Sequence, residues 1–281
     1  MTKKPQNKIV KRIKIAFILL FLIITPLFFV VLIAGPNAFL FHPIPGIQIT
    51  PKDVGIDYED RMIEIENGQK INAWYFKGDG KSTCDVLYLH GNSGNLTISQ
   101  RHIMPLINAG YSVLAIDYRG FGRSDGHVDI DGILTDSIKA KETLKKTIIV
   151  FGQSLGGFTA LRLAEKSPAN IKGTMIDGGF ADLRPLVKEK AGNIWIAKPF
   201  KDVIAWMFPD RKANMKKIHM PLLFIAGEKD KIVPKGHTKK AFDDANEPKA
   251  YIELKGAGHV KSAAYEESRK AIFKFIEENC K

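Results

Sequence analysis

Hydrophobic positions change their rhythm three times along the chain. Residues 15–34, IAFILLFLIITPLFFVVLIA, are apolar all round and carry no charge. A helix rising about 1.5 Å per residue makes such a run roughly 30 Å long, the thickness of a bilayer's hydrocarbon core. Pro26 is tolerated in a membrane helix. A helix buried in a globular core needs only an apolar stripe, so apolarity on every side points to lipid. Residues 39–51 then contain Pro43, Pro45, Gly46 and Pro51, the composition of an extended linker. Residues 61–66 and 70–76 flank Asn67-Gly68, a pair suited to a hairpin turn with two positive φ angles.

From residue 86 onward, short apolar runs alternate with helical patterns. Strands are expected at 86–89, 113–116, 148–151, 174–176, 222–226 and 251–254. Helices are expected at 98–108, 130–146, 155–165, near 238–244, and at 262–278. This order predicts an α/β fold: a mostly parallel sheet with helices on both faces, and the opening hairpin adding antiparallel strands at one edge. Residues 181–220 break the alternation and carry Trp195 and Trp206 among Ile194, Ile196, Phe200 and Phe208. That stretch reads either as a surface excursion with its own small core or as a lid over a site.

Charge sharpens the reading of the N-terminus. The net charge is +12, and half of it comes from Lys3, Lys4, Lys8, Lys11, Arg12 and Lys14, ahead of the apolar run and with no acid among them. Positive charge accumulates on the cytoplasmic side of a spanning helix, so the N-terminus is expected in the cytoplasm and the remainder across the membrane. Ala34-Gly35-Pro36 makes a poor signal-peptidase site, which favours an uncleaved anchor. The expected organisation is a basic tail at 1–14, a transmembrane anchor at 15–34, a linker at 35–59, and a catalytic domain at 60–281 with a lid insertion near 181–220. Basic residues without interleaved aromatics give no nucleic-acid platform. The two cysteines, Cys84 and Cys280, form no disulfide framework and no metal spacing.

Chemistry concentrates in Gly152-Gln153-Ser154-Leu155-Gly156. A β-branched run enters it and a helical pattern leaves it, the strand–turn–helix setting of a nucleophile elbow. The glycines suit a turn where a Cβ would collide, and the helix N-terminus favours developing negative charge. A serine that only capped a helix would account for Ser154 but not for both flanking glycines. As its base, His259 stands in Gly256-Ala257-Gly258-His259, between the last strand and the last helix, in the chain order nucleophile, acid, histidine. Asp230, after the strand LLFIA, is the chosen acid; Asp177, after GTMI, is the alternative. The backbone N–H groups of Leu155 and Asn92 are the expected oxyanion donors, the latter in His90-Gly91-Asn92-Ser93-Gly94-Asn95. No phosphate-loop or zinc-protease motif occurs, and no metal or organic cofactor is expected. Asn95-Leu96-Thr97 matches a glycosylation acceptor but lies inside the expected oxyanion loop, where a glycan would obstruct the site.

Taken together, FHPIPG, LHGNSGN, IDYRGFGRSDG, FGQSLGG, IAGEKDKIVP and GAGH, in that order, resemble the Bem46-like group of α/β hydrolases over residues 39–279. The resemblance implies an eight-stranded sheet, a Ser154–Asp230–His259 triad and, in many relatives, an N-terminal anchor. The chain departs from the pattern at Asp177-Gly178-Gly179-Phe180, where a Ser-Pro-Phe-like turn is expected. The expected reaction is hydrolysis of a carboxylic ester or thioester through an acyl-enzyme, on a small acyl or lipid substrate. The alternatives are a peptidase or amidase on the same triad, or a non-catalytic membrane-anchored interaction protein.

Overall fold

The computed structural model describes residues 10–12, 14, 15, 18, 21, 22, 25, 35, 37–80, 82–195 and 197–280. Most of the expected spanning run 15–34 lies outside the described residues. Among those that are described, no helix is long and apolar enough to cross a membrane. The chain divides into two compact units, Met1–Leu40 and Phe41–Lys281. The described residues of the first are helical, and Ile15, Ile18, Phe21 and Leu22 expose their side chains.

The second unit begins earlier than residue 60. Much of the expected 35–59 linker is bound to it through β1 (His42–Pro43), which runs parallel to Ser93–Gly94. The His42 N–H donates to the Asn92 carbonyl at 2.8 Å, and Gly46 N–H to Gly122 at 2.7 Å. Prolines made this stretch read as a tether, but it is an extended strap whose remaining donors find partners on neighbouring loops.

The remaining strands are β2 (Glu59–Glu64), β3 (Lys70–Phe76), β4 (Cys84–Leu89), β5 (Ser93–Gly94), β6 (Ser112–Ile116), β7 (Thr147–Gln153), β8 (Ile171–Asp177), β9 (Leu222–Gly227) and β10 (Lys249–Leu254). The helices are α1 (Leu96–Asn108), α2 (Gly132–Glu142), α3 (Leu155–Lys166), α4 (Leu183–Gly192), α5 (Lys201–Met207), α6 (Lys235–Asp244) and α7 (Glu266–Asn279). Eight strands form one sheet in the order β10-β9-β8-β7-β4-β6-β3-β2. Within it only β3 runs against its neighbours. Asn67 and Gly68, between β2 and β3, both take the positive φ that the Asn-Gly pair implied.

Central strands β4, β6 and β9 are buried along their whole length, whereas edge strand β2 is mostly exposed. This is the pattern of a sheet covered on both faces. On one face Leu96, Ile103 and Leu106 of α1 and Ile272, Phe275 and Ile276 of α7 pack over Trp74, Tyr88, Phe151 and Ile225. On the other, Leu161 and Ala164 of α3 and Ala241 of α6 cover Ile176 and Phe224.

The topology decides where a site belongs. The chain leaving β4 crosses to β6 on one side, and the chain leaving β7 crosses to β8 on the other, although β4 and β7 are neighbours. Connections that diverge from adjacent parallel strands leave a crevice at their carboxyl ends. The residues after β4 and β7 are His90-Gly91-Asn92 and Ser154.

Cys84 and Cys280 form a disulfide across 196 residues of sequence, with Cα atoms 5.5 Å apart. The sequence reading excluded a disulfide framework; here one bridge joins the start of central strand β4 to the residue after α7. Thr83 Oγ1 reinforces the junction by donating to the Cys280 carbonyl at 2.7 Å. Spacing along the chain carries no trace of it, because α7 must first fold back across the sheet to bring the two sulfurs together.

Candidate active site

Ser154 sits between β7 and α3 with φ 55° and ψ −118°, a conformation outside the usual regions for a residue with a side chain. Such strain costs on the order of 1–3 kcal/mol and persists where the surroundings dictate it. They do so here. A Cβ added to Gly156 would lie 2.0 Å from the Leu89 carbonyl oxygen, and one on Gly152 would lie 2.2 Å from that of Gly156. The turn therefore presses α3 against the end of β4, which only glycine allows at these two positions. Leu155 is the first residue of α3, so its N–H has no carbonyl one turn earlier to bond.

The loop after β4 faces the serine. A Cβ on Gly91 would stand 3.4 Å from Ser154 Cβ and 4.0 Å from its Oγ. This loop is braced from three sides. The Asn92 carbonyl accepts from His42 on the strap. His90 is buried with Nδ1 2.7 Å from the Gly91 carbonyl and Nε2 3.3 Å from Asp117 Oδ1. Asn95 is buried and caps α1, and its Nδ2 donates to Gly46 and Gln48 at 2.8 Å. An amide so engaged carries no glycan, and it explains why an asparagine stands there.

His259 and Asp230 meet directly: His259 Nδ1 lies 2.7 Å from Asp230 Oδ2. The Asp230 side chain is almost wholly buried and that of His259 largely so. Asp230 Oδ1 accepts from the N–H groups of Ile232 and Val233 at 2.8 and 2.9 Å. Three donors thus hold the carboxylate in one orientation, and the imidazole nitrogen facing it is fixed as the protonated one.

Asp177 is not the partner of that imidazole. Its backbone carbonyl accepts from Ser154 N–H at 2.9 Å. Its side-chain Oδ2 accepts from Gln153 Nε2 and from the Ser262 N–H, each at 3.2 Å. Tyr88 in turn donates its hydroxyl to Gln153 Oε1. A buried chain therefore runs from β4 through the residue before the nucleophile to the segment after His259. Burial pushes the Asp177 carboxyl above the ordinary range, with the Ser262 hydrogen bonds opposing. The next residue, Gly178, has φ 62°, and a Cβ there would be 3.2 Å from His259 Nδ1 and 3.4 Å from Asp230 Oδ2. This close passage accounts for glycine where a Ser-Pro-Phe-like turn was expected.

Gln153, Tyr88 and Ser262 had no signal in the sequence beyond Gln153's place beside the nucleophile. His102 on α1 is a further histidine close to the site. Arg101 Nε donates to its Nε2 at 3.1 Å. Burial, then Arg101, lowers it to about 4, so it is uncharged at neutral pH.

The stretch 181–220 is closed at its base. Ala213 N–H donates to Ala181 at 2.8 Å and Leu183 N–H to Arg211 at 3.3 Å. Arg211 and Arg162 converge on Asp131, with contacts of 2.8 and 2.7 Å. Leu183 and Leu186 of α4 turn inward, but Trp195 and Trp206 do not form a core: they are 84% and 73% exposed.

A family model described as "Serine aminopeptidase, S33" matches residues 80–217, which include Ser154 and end before Asp230 and His259. An uncharacterized protein of Mycobacterium tuberculosis, Rv2307c, is 30% identical over 232 residues, covering 78% of this chain and 79% of its own. Protein bem46 of Schizosaccharomyces pombe is 32% identical over 204 residues, 66% of this chain and 64% of its own. Among solved structures, an esterase of Pyrococcus furiosus, PF2001, superposes with a TM-score of 0.71 at 24% identity, covering 86% of this chain and 99% of that one.

Proposed function

Because the chain belongs to the Bem46-like group of α/β hydrolases, we propose that it is a membrane-anchored serine hydrolase acting through Ser154, His259 and Asp230. The observation that carries this reading is the 2.7 Å contact of His259 Nδ1 with the buried Asp230 carboxylate, in a chain whose Ser154 is held in a strained elbow. His259 Nε2 takes the Ser154 proton as Oγ attacks a carbonyl carbon. The N–H groups of Leu155 and Asn92 receive the oxyanion. His259 then gives the proton to the leaving group, and an acyl-enzyme forms. Water, deprotonated by His259, releases the acid and restores Ser154. The Asp230 carboxylate stabilises the imidazolium formed in each half-reaction.

The bond attacked is an ester or thioester in this proposal. The description of the matching family model, a serine aminopeptidase, supports amide cleavage on the same residues as the second reading. Purified protein offered p-nitrophenyl esters of increasing acyl length and aminoacyl p-nitroanilides is expected to turn over the esters. Preference for the anilides would favour the peptidase reading, and inertness to both would leave an interaction protein.

The anchor belongs to the same proposal. Its supports are the twenty-residue apolar run, the basic tail before it, and the disulfide. Disulfides persist in oxidising compartments and are rare in the cytosol, so the bridge suits a catalytic domain on the non-cytoplasmic side. Cys84 and Cys280 are the only cysteines in the chain, which makes the test simple. Full-length protein extracted from its native membranes under acid quench, then denatured, is expected to show no alkylatable thiol until a reductant is added. Two free thiols before reduction would place the domain on the reducing side. Recovery in the carbonate-soluble fraction would remove the anchor.

A further inference from the structure

The excursion between β8 and β9 has an outer surface that the fold does not use. Ile194, Trp195, Phe200, Val203 and Trp206 are all exposed, within thirteen residues of one another. Exposed large apolar side chains scattered singly need no explanation, but five within thirteen residues, two of them tryptophans, do. The third tryptophan of the chain, Trp74, is fully buried.

The surrounding charge is predominantly positive. From Leu183 to Phe208 the basic residues are Arg184, Lys188, Lys190, Lys198 and Lys201, against only Glu189 and Asp202. Lys188 pairs with Asp202 and Arg184 with Asp210, and Lys190 donates to the Lys231 carbonyl. Among the described residues, Lys198 and Lys201 form no ion pair. Tryptophan rings prefer the boundary between headgroups and acyl chains, and nearby lysines are drawn to anionic headgroups.

We propose that the outer face of the α4–α5 excursion docks on an anionic bilayer, inserting Trp195 and Trp206 at the headgroup–acyl boundary. Its base is a fixed platform, because the Ala181–Ala213 and Leu183–Arg211 bonds and the Asp131–Arg211 pair tie both ends of the excursion to the domain. A chain tethered to a membrane at residues 15–34 would meet this second surface at high effective concentration, so weak individual contacts suffice. The docking does not depend on the hydrolytic chemistry.

The test uses the full-length protein in vesicles and reads tryptophan emission. Vesicles are made of phosphatidylglycerol, or of phosphatidylcholine, with bromine on the acyl chains. In the anionic vesicles, bromolipid is expected to quench at least half of the emission while aqueous iodide quenches little. The variant W195F/W206F retains only Trp74, and its emission should respond to neither quencher. Strong iodide quenching without bromolipid quenching would put the face in water and overturn the proposal. Protection from both quenchers, with cross-links between copies, would show a second copy on the face and overturn it equally. Equal bromolipid quenching in phosphatidylcholine would overturn the requirement for anionic lipid.

Discussion

Ser154→Ala is expected to abolish ester turnover and all labelling by a fluorophosphonate probe. The fall in kcat should be on the order of 10⁶-fold, the scale seen when an unrelated serine hydrolase loses its nucleophile. The groups shown against Ser154 are Gly91 and the backbone of Asp177, neither of which is a nucleophile. The fold should survive. Alanine keeps the Cβ and therefore the strain at φ 55°, while the Ser154 N–H bond to Asp177 and the carbonyl bonds from Gly157 and Phe158 involve only backbone. Unchanged near-ultraviolet circular dichroism would certify this. Labelling that persists in the folded variant would mean that another residue is the nucleophile.

The parts of the fold that local chemistry dictates were legible in the sequence. Asn67-Gly68 announced a turn needing two positive φ values, and period and length identified the central strands to within a few residues. The glycine spacing around Ser154 was readable because the tight turn itself demands it, Gly152 meeting the backbone of Gly156, although the demand on Gly156 comes from Leu89, remote in sequence. What escaped depends on distant parts of the chain. The strap at residues 41–49 looked like a linker because its partners, Asn92, Gly94 and Gly122, are remote in sequence. The bridge between Cys84 and Cys280 depends on where α7 ends. The stretch 262–278 read as a continuous helix, yet a turn at Ser262–Ala264 precedes α7, and Ser268 Oγ bonds back to the Ser262 and Tyr265 carbonyls. That turn delivers the Ser262 N–H to Asp177, a contact with no periodicity to betray it.

The two aspartates separate cleanly by experiment. Asp230→Asn should lower kcat by roughly 10⁴-fold, the scale of amidating a triad acid elsewhere. The amide would face His259 Nδ1 either with a donor that cannot accept the imidazole proton or with an oxygen lacking the charge that stabilises imidazolium. Asp177→Asn should lower kcat far less, since Asp177 contacts Gln153 and Ser262 and not the imidazole. Its effect should appear in stability instead, and with a definite sign. Burial raises the Asp177 carboxyl in the folded state, so its contribution is complete below the unfolded value of about 3.9 and fades as pH rises through the folded value. Asparagine has no such titration. Relative to wild type, the variant should therefore gain stability on going from pH 4 to pH 8, measured by urea denaturation. The opposite ranking of the two variants in kcat, with Asp177→Asn the more damaging and its stability unshifted by pH, would assign the acid of the triad to the end of β8.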